Sequence, residues 1–302
     1  MADSLAILIL TGNEERNIER CLRSLCALDA SVYVVDSEST DRTVELAMCM
    51  GANVVSRRWT TYADQFNWGL EHCGISASWV MRLDADEEVT PELAVAITQF
   101  LAAPPAEVAG VWVRRRVYFM GRWIRHGGYY PTWLLRVFRH GVGRCEQLNM
   151  DEHIVLDHGG TVRLVADVID KNDKDLTFWV NKHNGYATRE MRDVLETHAP
   201  PDGTGGAVDA RPAPGGQASS KRWLKTNLYL RLPLFVRPTL YFIYRYFLLL
   251  GFLDGREGLV FHVLQGFWYR FLVDAKLFEH KKLLEHKKLL EHEQPARFGR
   301  TE

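Results

Sequence analysis

Residues 79–88, WVMRLDADEE, carry a strand-like apolar run into four carboxylates within five positions: Asp84, Asp86, Glu87 and Glu88. Side chains two apart on a strand point the same way, so Asp84 and Asp86 at a strand end can address one ligand. Open α/β sheets bind ligands beyond the carboxyl ends of their strands, which is where this reading puts the pair. Thr90 and Pro91 read as the cap and first turn of the next helix, with Glu87 and Glu88 lining its approach and Glu87 the nearer to the site. A lone Asp-x-Asp triplet is common, so its weight depends on its surroundings.

Working outward, LAILIL (5–10), SVYVVD (31–36), ANVVS (52–56) and the run ending at Asp84 are short apolar segments. Helical segments separate them: 13–25, Thr40 or Asp41 to about Met50, and 62–73. The alternation predicts a parallel sheet covered by crossover helices. Three strand ends carry polar groups: Thr11, Asn13 and Glu14 after the first, Asp36 after the second, Asp84 and Asp86 after the fourth. Turn and capping roles account for Ser39, Thr40 and Asp41 but poorly for Asp36 and Asp84. Hard carboxylate oxygens suit Mg²⁺ or Mn²⁺, which keep positions open for substrate phosphates, so a nucleoside diphosphate is the natural guest.

The 302 residues carry a formal net charge of −1, so no global basic field points to nucleic acid as a partner. Cysteines 21, 26, 49, 73 and 145 form no CxxC pair and read as reduced thiols filling the core. Asp3 and the short run Leu5–Leu10 do not make a signal peptide, and a cytoplasmic location is expected. Strands from about 108 to 170 should extend the sheet, followed by a helix from Lys174 or Asp175. The expected division is one α/β domain over 1–197, with a nucleotide half at 1–105 and an acceptor half at 106–197. A Pro/Gly/Ser-rich linker follows at 198–220 and an aromatic, basic helical region at 221–302. Leu232–Leu253 has the length of a membrane span, but Pro233, Arg237, Pro238 and Arg245 interrupt it. An amphipathic segment on an anionic membrane surface is the expectation, with packing against the α/β domain as the alternative. The hexad EHKKLL recurs at 279–284 and 285–290. A six-residue step turns a helix by about 600°, so its histidines do not share a face, and membrane contact or homo-oligomerisation fits better than metal binding.

ILTGNEERNIERCLRSL (9–25), VVDSESTDRT (34–43), QFNWGL (65–70) and WVMRLDADEE resemble, in order and spacing, the N-terminal motifs of the family 2 glycosyltransferases. The resemblance implies the GT-A fold: a Rossmann-like α/β structure with a mixed, mainly parallel sheet flanked by helices, here with a C-terminal amphipathic helical extension. WLLRVFRHG (133–141), MDEHIV (150–155), KHNGYATRE (182–190) and residues 251–279 resemble a bacterial branch that includes lipopolysaccharide-core and exopolysaccharide sugar transferases. That implies an inverting transferase at the inner face of the cytoplasmic membrane. Its donor would be a nucleotide sugar, typically a UDP-sugar, and its acceptor a saccharide or lipid-linked one.

By the same resemblance Thr11, Asn13, Glu14 and Asp36 contact the nucleoside, Asp84 the ribose or base, and Asn67 lies near the donor. Asp86 ligates the Mn²⁺ or Mg²⁺ that holds the diphosphate. Phe66 stands where relatives carry a basic residue, leaving Arg82 or Arg57 to supply the charge. Glu152 matches the base that takes the acceptor proton, with Asp151 its rival. Asp170 stands where relatives often carry a histidine and is a candidate second metal ligand. His153, His158 and His183 are candidates for phosphate or acceptor contact. Trp123, Arg125 and Tyr129 either stack on sugar rings or pack in the core. The competing chemistries are a phosphohydrolase with Asp84 as nucleophile and a non-catalytic nucleotide-binding membrane-surface protein. The first usually has its motif on the first strand, and the second would not keep so many clustered acids.

Overall fold

The structure, a computed structural model, describes residues 4–147, 153–198 and 229–293. Strands β1 (Leu5–Thr11), β2 (Ala30–Asp36), β3 (Asn53–Ser56) and β4 (Trp79–Asp84) lie in the order β3-β2-β1-β4, all parallel. Every residue of β1 is buried, as a central strand covered on both faces requires. The chain moves from β1 outward to β3, then crosses back to place β4 on the other side of β1. That reversal opens a crevice at the carboxyl ends of β1 and β4, and Leu10 sits opposite Asp84 there.

The covering helices are α1 (Ile18–Arg23), α2 (Thr43–Cys49), α3 (Tyr62–His72) and α4 (Pro91–Ala102). Thr61 caps α3 by accepting from the Asp64 amide, and Thr90 caps α4 by accepting from Leu93. Ahead of α2, Asp41 accepts from the Thr43 amide, whereas Thr40 bonds Asn13 instead. Gly69 lets α3 ride close on the sheet: a Cβ there would stand 3.0 Å from Val35 and 3.1 Å from Leu8. This close approach brings Tyr62, at the start of α3, over the end of β4.

Beyond β4 the sheet turns mixed. Strands β5 (Glu87–Val89), β6 (Val108–Phe119), β7 (Arg122–Ile124), β8 (Thr132–Arg139) and β11 (Gly160–Lys171) complete nine strands among the described residues, with β8 antiparallel to both β4 and β6. A two-stranded ribbon of β9 (Gly143–Cys145) and β10 (Ile154–Leu156) packs beside it. Glu87–Val89, expected as an approach to α4, is instead a strand: the antiparallel edge of β11 pairs with it at Val168, Ile169 and Asp170. Val111 pairs with Val137 and Trp112 with Leu135, which leaves Arg136 as a bulge residue without an opposite partner. Bulges re-aim side chains, and this one matters below.

Helix α5 (Leu176–His198) and the C-terminal helices α6 (Val236–Ile243), α7 (Gly255–Phe261) and α8 (Tyr269–Glu293) pack on this body. Phe261 joins Phe119 and Ile124 in one cluster; Tyr269 and Val273 join Ala187 in another. Polar anchors reinforce the contact: Arg237 with buried Asp274, Arg270 with Glu190 at 2.6 Å, and His126 with Asp254 at 2.6 Å. The ring of His262 fills the space that a side chain at Gly127 or Gly251 would need. No described helix is long and apolar enough to cross a membrane. Cys21 and Cys145 fill the core as expected, but Cys26 and Cys49 are exposed.

Candidate active site

At the end of β1, Asn13 adopts a left-handed backbone conformation (φ 56°), which asparagine tolerates better than most residues. This turns the chain so that the Asn13 amide donates to Ser39 and its side-chain oxygen accepts from the Thr40 amide, each at 2.8 Å. The Glu14 amide donates to Thr43 at 2.7 Å. Thr11 and Asp36 are register partners, and the Thr11 hydroxyl donates to Asp36 at 2.9 Å. Asp36, 1% exposed, also accepts from the Ser39 amide and hydroxyl, so a nucleoside that reaches it must share those oxygens. The first two strand ends therefore form one hydrogen-bonded rim.

Across the crevice, Asp84 is anchored on both carboxylate oxygens. Tyr62 donates its hydroxyl to one at 2.5 Å and Arg136 its guanidinium to the other at 3.2 Å. Arg82 stands 3.9 Å away and lies 4.2 Å from the Tyr62 ring centre. Burial raises the Asp84 pKa, but Arg136 and Arg82 outweigh it, with the Tyr62 bond, and hold the carboxyl well below the usual carboxylate range. Arg136 also pairs with Glu87 at 2.5 Å, and Glu87 accepts from the Asp84 amide at 3.0 Å. Burial lifts the Glu87 carboxyl to about 8 against the pull of Arg136, and the neighbouring Asp84 charge adds to the rise. Arg136 and Arg82 together favour the ionised form of Asp84, whereas burial and the Asp84 charge favour the proton on Glu87. Glu87 thus belongs inside the site, not on the approach to it.

Asp86 is half-buried; its side chain accepts from Asn172 at 2.9 Å and its carbonyl from the Lys171 amide at 3.0 Å. The segment after β11 therefore clamps the turn that carries Asp86. The same segment reaches the β1 side: Lys174 pairs with Glu14 at 2.7 Å, and Asp173 with Arg20. Asp170 is 3.5 Å from Arg115 and retains 29% side-chain exposure. Burial, opposed by Arg115 and helped by Asp86 and Asp84, pushes its carboxyl to about 6, and the open part of its surface moderates that push. The three strand ends and Asp170 thus share one crevice.

Asn67 is engaged within the chain. Its side-chain amide donates to the Cys145 carbonyl at 2.9 Å and accepts from the Cys145 amide at 2.8 Å. This bidentate bond fastens the β9–β10 ribbon to α3. The ribbon's stem is closed by the Glu146 amide donating to the His153 carbonyl at 2.9 Å. Asp151 and Glu152 lie outside the described residues. Of the two arginines considered for the missing basic residue, Arg82 reaches the site, while Arg57 pairs with Asp64 at 2.8 Å. His183 stacks on Trp179 and bonds its carbonyl, and burial lowers its pKa to about 4, so it acts as a packing residue. His158 is exposed on a turn. Tyr129 is covered by Arg245, whose guanidinium lies 3.9 Å from its ring centre.

Arg136, Tyr62, Asn172 and Lys174 are the site residues that sequence reasoning passed over. Asn172 and Lys174 sit in a polar run, KNDK, immediately after a strand end, the same signal that marked the other strands. No such signal marks Arg136, whose aim comes from the bulge.

Comparison with known proteins agrees with this geometry. Residues 6–154 match the family described as Glycosyl transferase family 2. An uncharacterized glycosyltransferase of Rickettsia bellii is 39% identical over 93 residues, 31% of this chain and 31% of that protein. One of Rickettsia felis is 37% identical over 91 residues, 30% of this chain and 31% of the relative. These matches span about a third of the curated relatives' own length. Over the whole fold, the mannosyltransferase of Pyrobaculum calidifontis, solved with GDP-Man and Mn²⁺, aligns with 92% of this chain and 88% of its own. Its TM-score is 0.53 at 13% identity, a likeness of fold. With the acidic strand ends gathered at the switch point of a GT-A sheet, the chain belongs, through residues 6–154, to glycosyl transferase family 2.

Proposed function

We propose that the chain is an inverting, metal-dependent glycosyltransferase that moves a sugar from a nucleotide-sugar donor, of the UDP-sugar class, to a saccharide or lipid-carried acceptor. The observation that carries this reading is the convergence of Asn13, Glu14, Asp84 and Asp86 at the reversal of strand order between β1 and β4. Asp84 is a poor nucleophile, since Tyr62 and Arg136 engage both its oxygens, and this speaks against a phosphohydrolase.

A divalent cation suits the residues present. Among the described residues no three His, Cys, Asp or Glu side chains form an enclosing cage. Mg²⁺-type sites commonly use one or two carboxylates and take their other ligands from substrate phosphates and water, which fits Asp86 with Asp170 as the second oxygen. Such an ion, Mn²⁺ or Mg²⁺, supplies positive charge to the departing diphosphate. In this scheme the rim of Thr11, Asn13, Glu14 and Asp36 binds the nucleoside, and Asp84, kept ionised by Arg136, takes the ribose or base. Glu152, with Asp151 as the alternative, takes the proton from the acceptor hydroxyl. Asn67 holds the β9–β10 ribbon at Cys145.

The acceptor is proposed to be lipid-carried, at an anionic membrane surface. Fifteen of the 22 exposed large apolar residues among the described ones fall between Val236 and Leu284. Residues 221–253 contain six Lys and Arg and no Asp or Glu. The exposed apolar side chains match an interfacial segment; Arg237 and Arg245 pack inward on Asp274 and Tyr129, so Lys221, Arg222, Lys225 and Arg231 are the basic residues of this stretch proposed to meet anionic lipid. The resemblance of the C-terminal motifs makes lipopolysaccharide-core or exopolysaccharide assembly the proposed setting of the reaction.

Calorimetric titration of UDP- and GDP-sugars with and without Mn²⁺ tests the central claim. Metal-dependent binding that Asp86→Ala abolishes is expected. A donor bound equally well by that variant, or no donor bound at all, overturns the claim.

A further inference from the structure

On β6, Arg114 and Arg116 alternate with the core residues Val111 and Val113, and therefore stand on the opposite face of the sheet. Their partner is Asp167 of β11, 2% exposed, which lies 2.9 Å from Arg114 and 2.5 Å from Arg116 and accepts from the Tyr130 hydroxyl at 3.0 Å. A break in the β6–β11 register between Arg163 and Asp167 aims this carboxylate at the two arginines. Beside them, Trp123 has Arg116 at 4.9 Å from its ring centre on one flank and Arg125 at 5.5 Å. Trp133, the register partner of Arg114, has Arg163 at 5.2 Å. Both indoles are half-buried, and the Trp123 Nε1 is buried with no hydrogen-bond partner.

Two guanidinium groups thus share one carboxylate, and two more, those of Arg125 and Arg163, lie over indole rings that keep part of their surface in solvent. A sheet built only for packing does not need this surplus. Rings of this kind stack on the apolar face of a sugar, and arginine forks bind carboxylate or phosphate. The occupant that matches both halves is a sugar ring bearing an acidic group. We infer that this face of β6, β8 and β11 binds an acidic sugar residue, a uronate or a sugar phosphate. That the residue belongs to the acceptor rests on the transfer reading above; the binding itself does not. The strands involved are those that carry Arg136 and Asp170, so the platform continues the sheet that builds the donor crevice.

The test uses the full chain, with tryptophan fluorescence and saturation-transfer NMR, titrated with glucuronate, glucose 6-phosphate, glucose and inorganic phosphate. The acidic sugars should bind saturably and at least about tenfold more tightly than glucose or phosphate, and less tightly as salt rises. Arg125→Ala and Arg163→Ala, both at exposed positions, should each weaken that binding several-fold without lowering Tm. Arg116→Gln gives a second reading once its Tm shows that it is folded. Glucose or phosphate binding as well as the acidic sugars, affinity unchanged in the variants, or no saturable binding would each overturn the inference. Donor binding measured in parallel separates the two claims: it should be unchanged in these variants, and its failure in the wild type would sink the transferase reading alone.

Discussion

The Arg136 guanidinium meets the Glu87 carboxyl at 2.5 Å, and neither side chain is more than 4% exposed. The same guanidinium reaches Asp84, so a cation buried by a strand bulge, helped by Arg82, biases the charge of the site's acids. Removing one member of a buried pair leaves an uncompensated charge, which typically costs about 3–5 kcal/mol. Arg136→Met should destabilise the fold by about that amount in urea denaturation at alkaline pH. The loss should be smaller at acid pH, where Glu87 carries a proton. Arg136→Lys should recover much of the stability, because a single nitrogen, Nη2, reaches both carboxyls and an ammonium also carries several donors.

Glu87 supplies a pH dependence with a definite sign. Its folded-state carboxyl lies at about 8, above the ordinary glutamate value, so the folded chain holds a proton that the unfolded chain has released. Its contribution is complete below the ordinary glutamate range and is lost as pH rises through about 8. Tm should fall over this window, and Glu87→Gln should flatten the decline. Asp84 has the opposite shift and acts at the acid end, where its stabilising contribution is lost as pH drops below the usual aspartate range. A Tm slope in the Gln variant equal to that of the wild type would contradict the assignment.

Asn172 holds the Asp86 carboxylate at 2.9 Å and should orient it toward a metal-bound diphosphate. Partners of metal ligands commonly change affinity by about 10–100-fold. Asn172→Ala should raise the Mn²⁺ concentration for half-maximal donor binding within that range, whereas Asp86→Ala should remove the metal requirement together with the binding. Titration of Mn²⁺ at fixed donor distinguishes the two variants.

Positioned general bases contribute about 10²–10⁴-fold. Glu152→Gln should lower kcat by that order with donor affinity intact, and Asp151→Asn should have a much smaller effect. Reversed outcomes would exchange the two roles. Asn67→Ala, which frees the ribbon at Cys145, should lower kcat without changing the pH optimum.

Phe247 and Leu248 are 53% and 70% exposed. Full burial of such a side chain is worth about 1.5–3 kcal/mol, so Phe247→Ser and Leu248→Ser should each weaken flotation with phosphatidylglycerol vesicles by about tenfold or more. Unchanged flotation, with dimerisation lost in the same variants, would assign this surface to a second copy of the chain.

The sequence by itself determined the α/β alternation, the strand ends that carry Thr11, Asn13, Glu14, Asp36, Asp84 and Asp86, and the cap at Thr90. These are local: periodicity, capping chemistry and the two-residue repeat of a strand act over a few positions. The order β3-β2-β1-β4, which makes a crevice from those ends, was implied only through the family likeness. Tertiary structure alone decided the rest. Arg136 is aimed by a mismatch between two strands, and no pattern within WLLRVFRHG foretells it. Asn172 and Lys174 meet Asp86 and Glu14 across more than eighty and a hundred and fifty residues of chain. Asn67 bonds the ribbon because β9 lies within reach of its amide. In the C-terminal helices, Phe261 and Tyr269 are buried while Phe247 and Leu248 face outward, a division that composition could not make because all four are apolar. Only the docking of α7 and α8 on β6, β7 and α5 separates the residues that pack from those left for a partner.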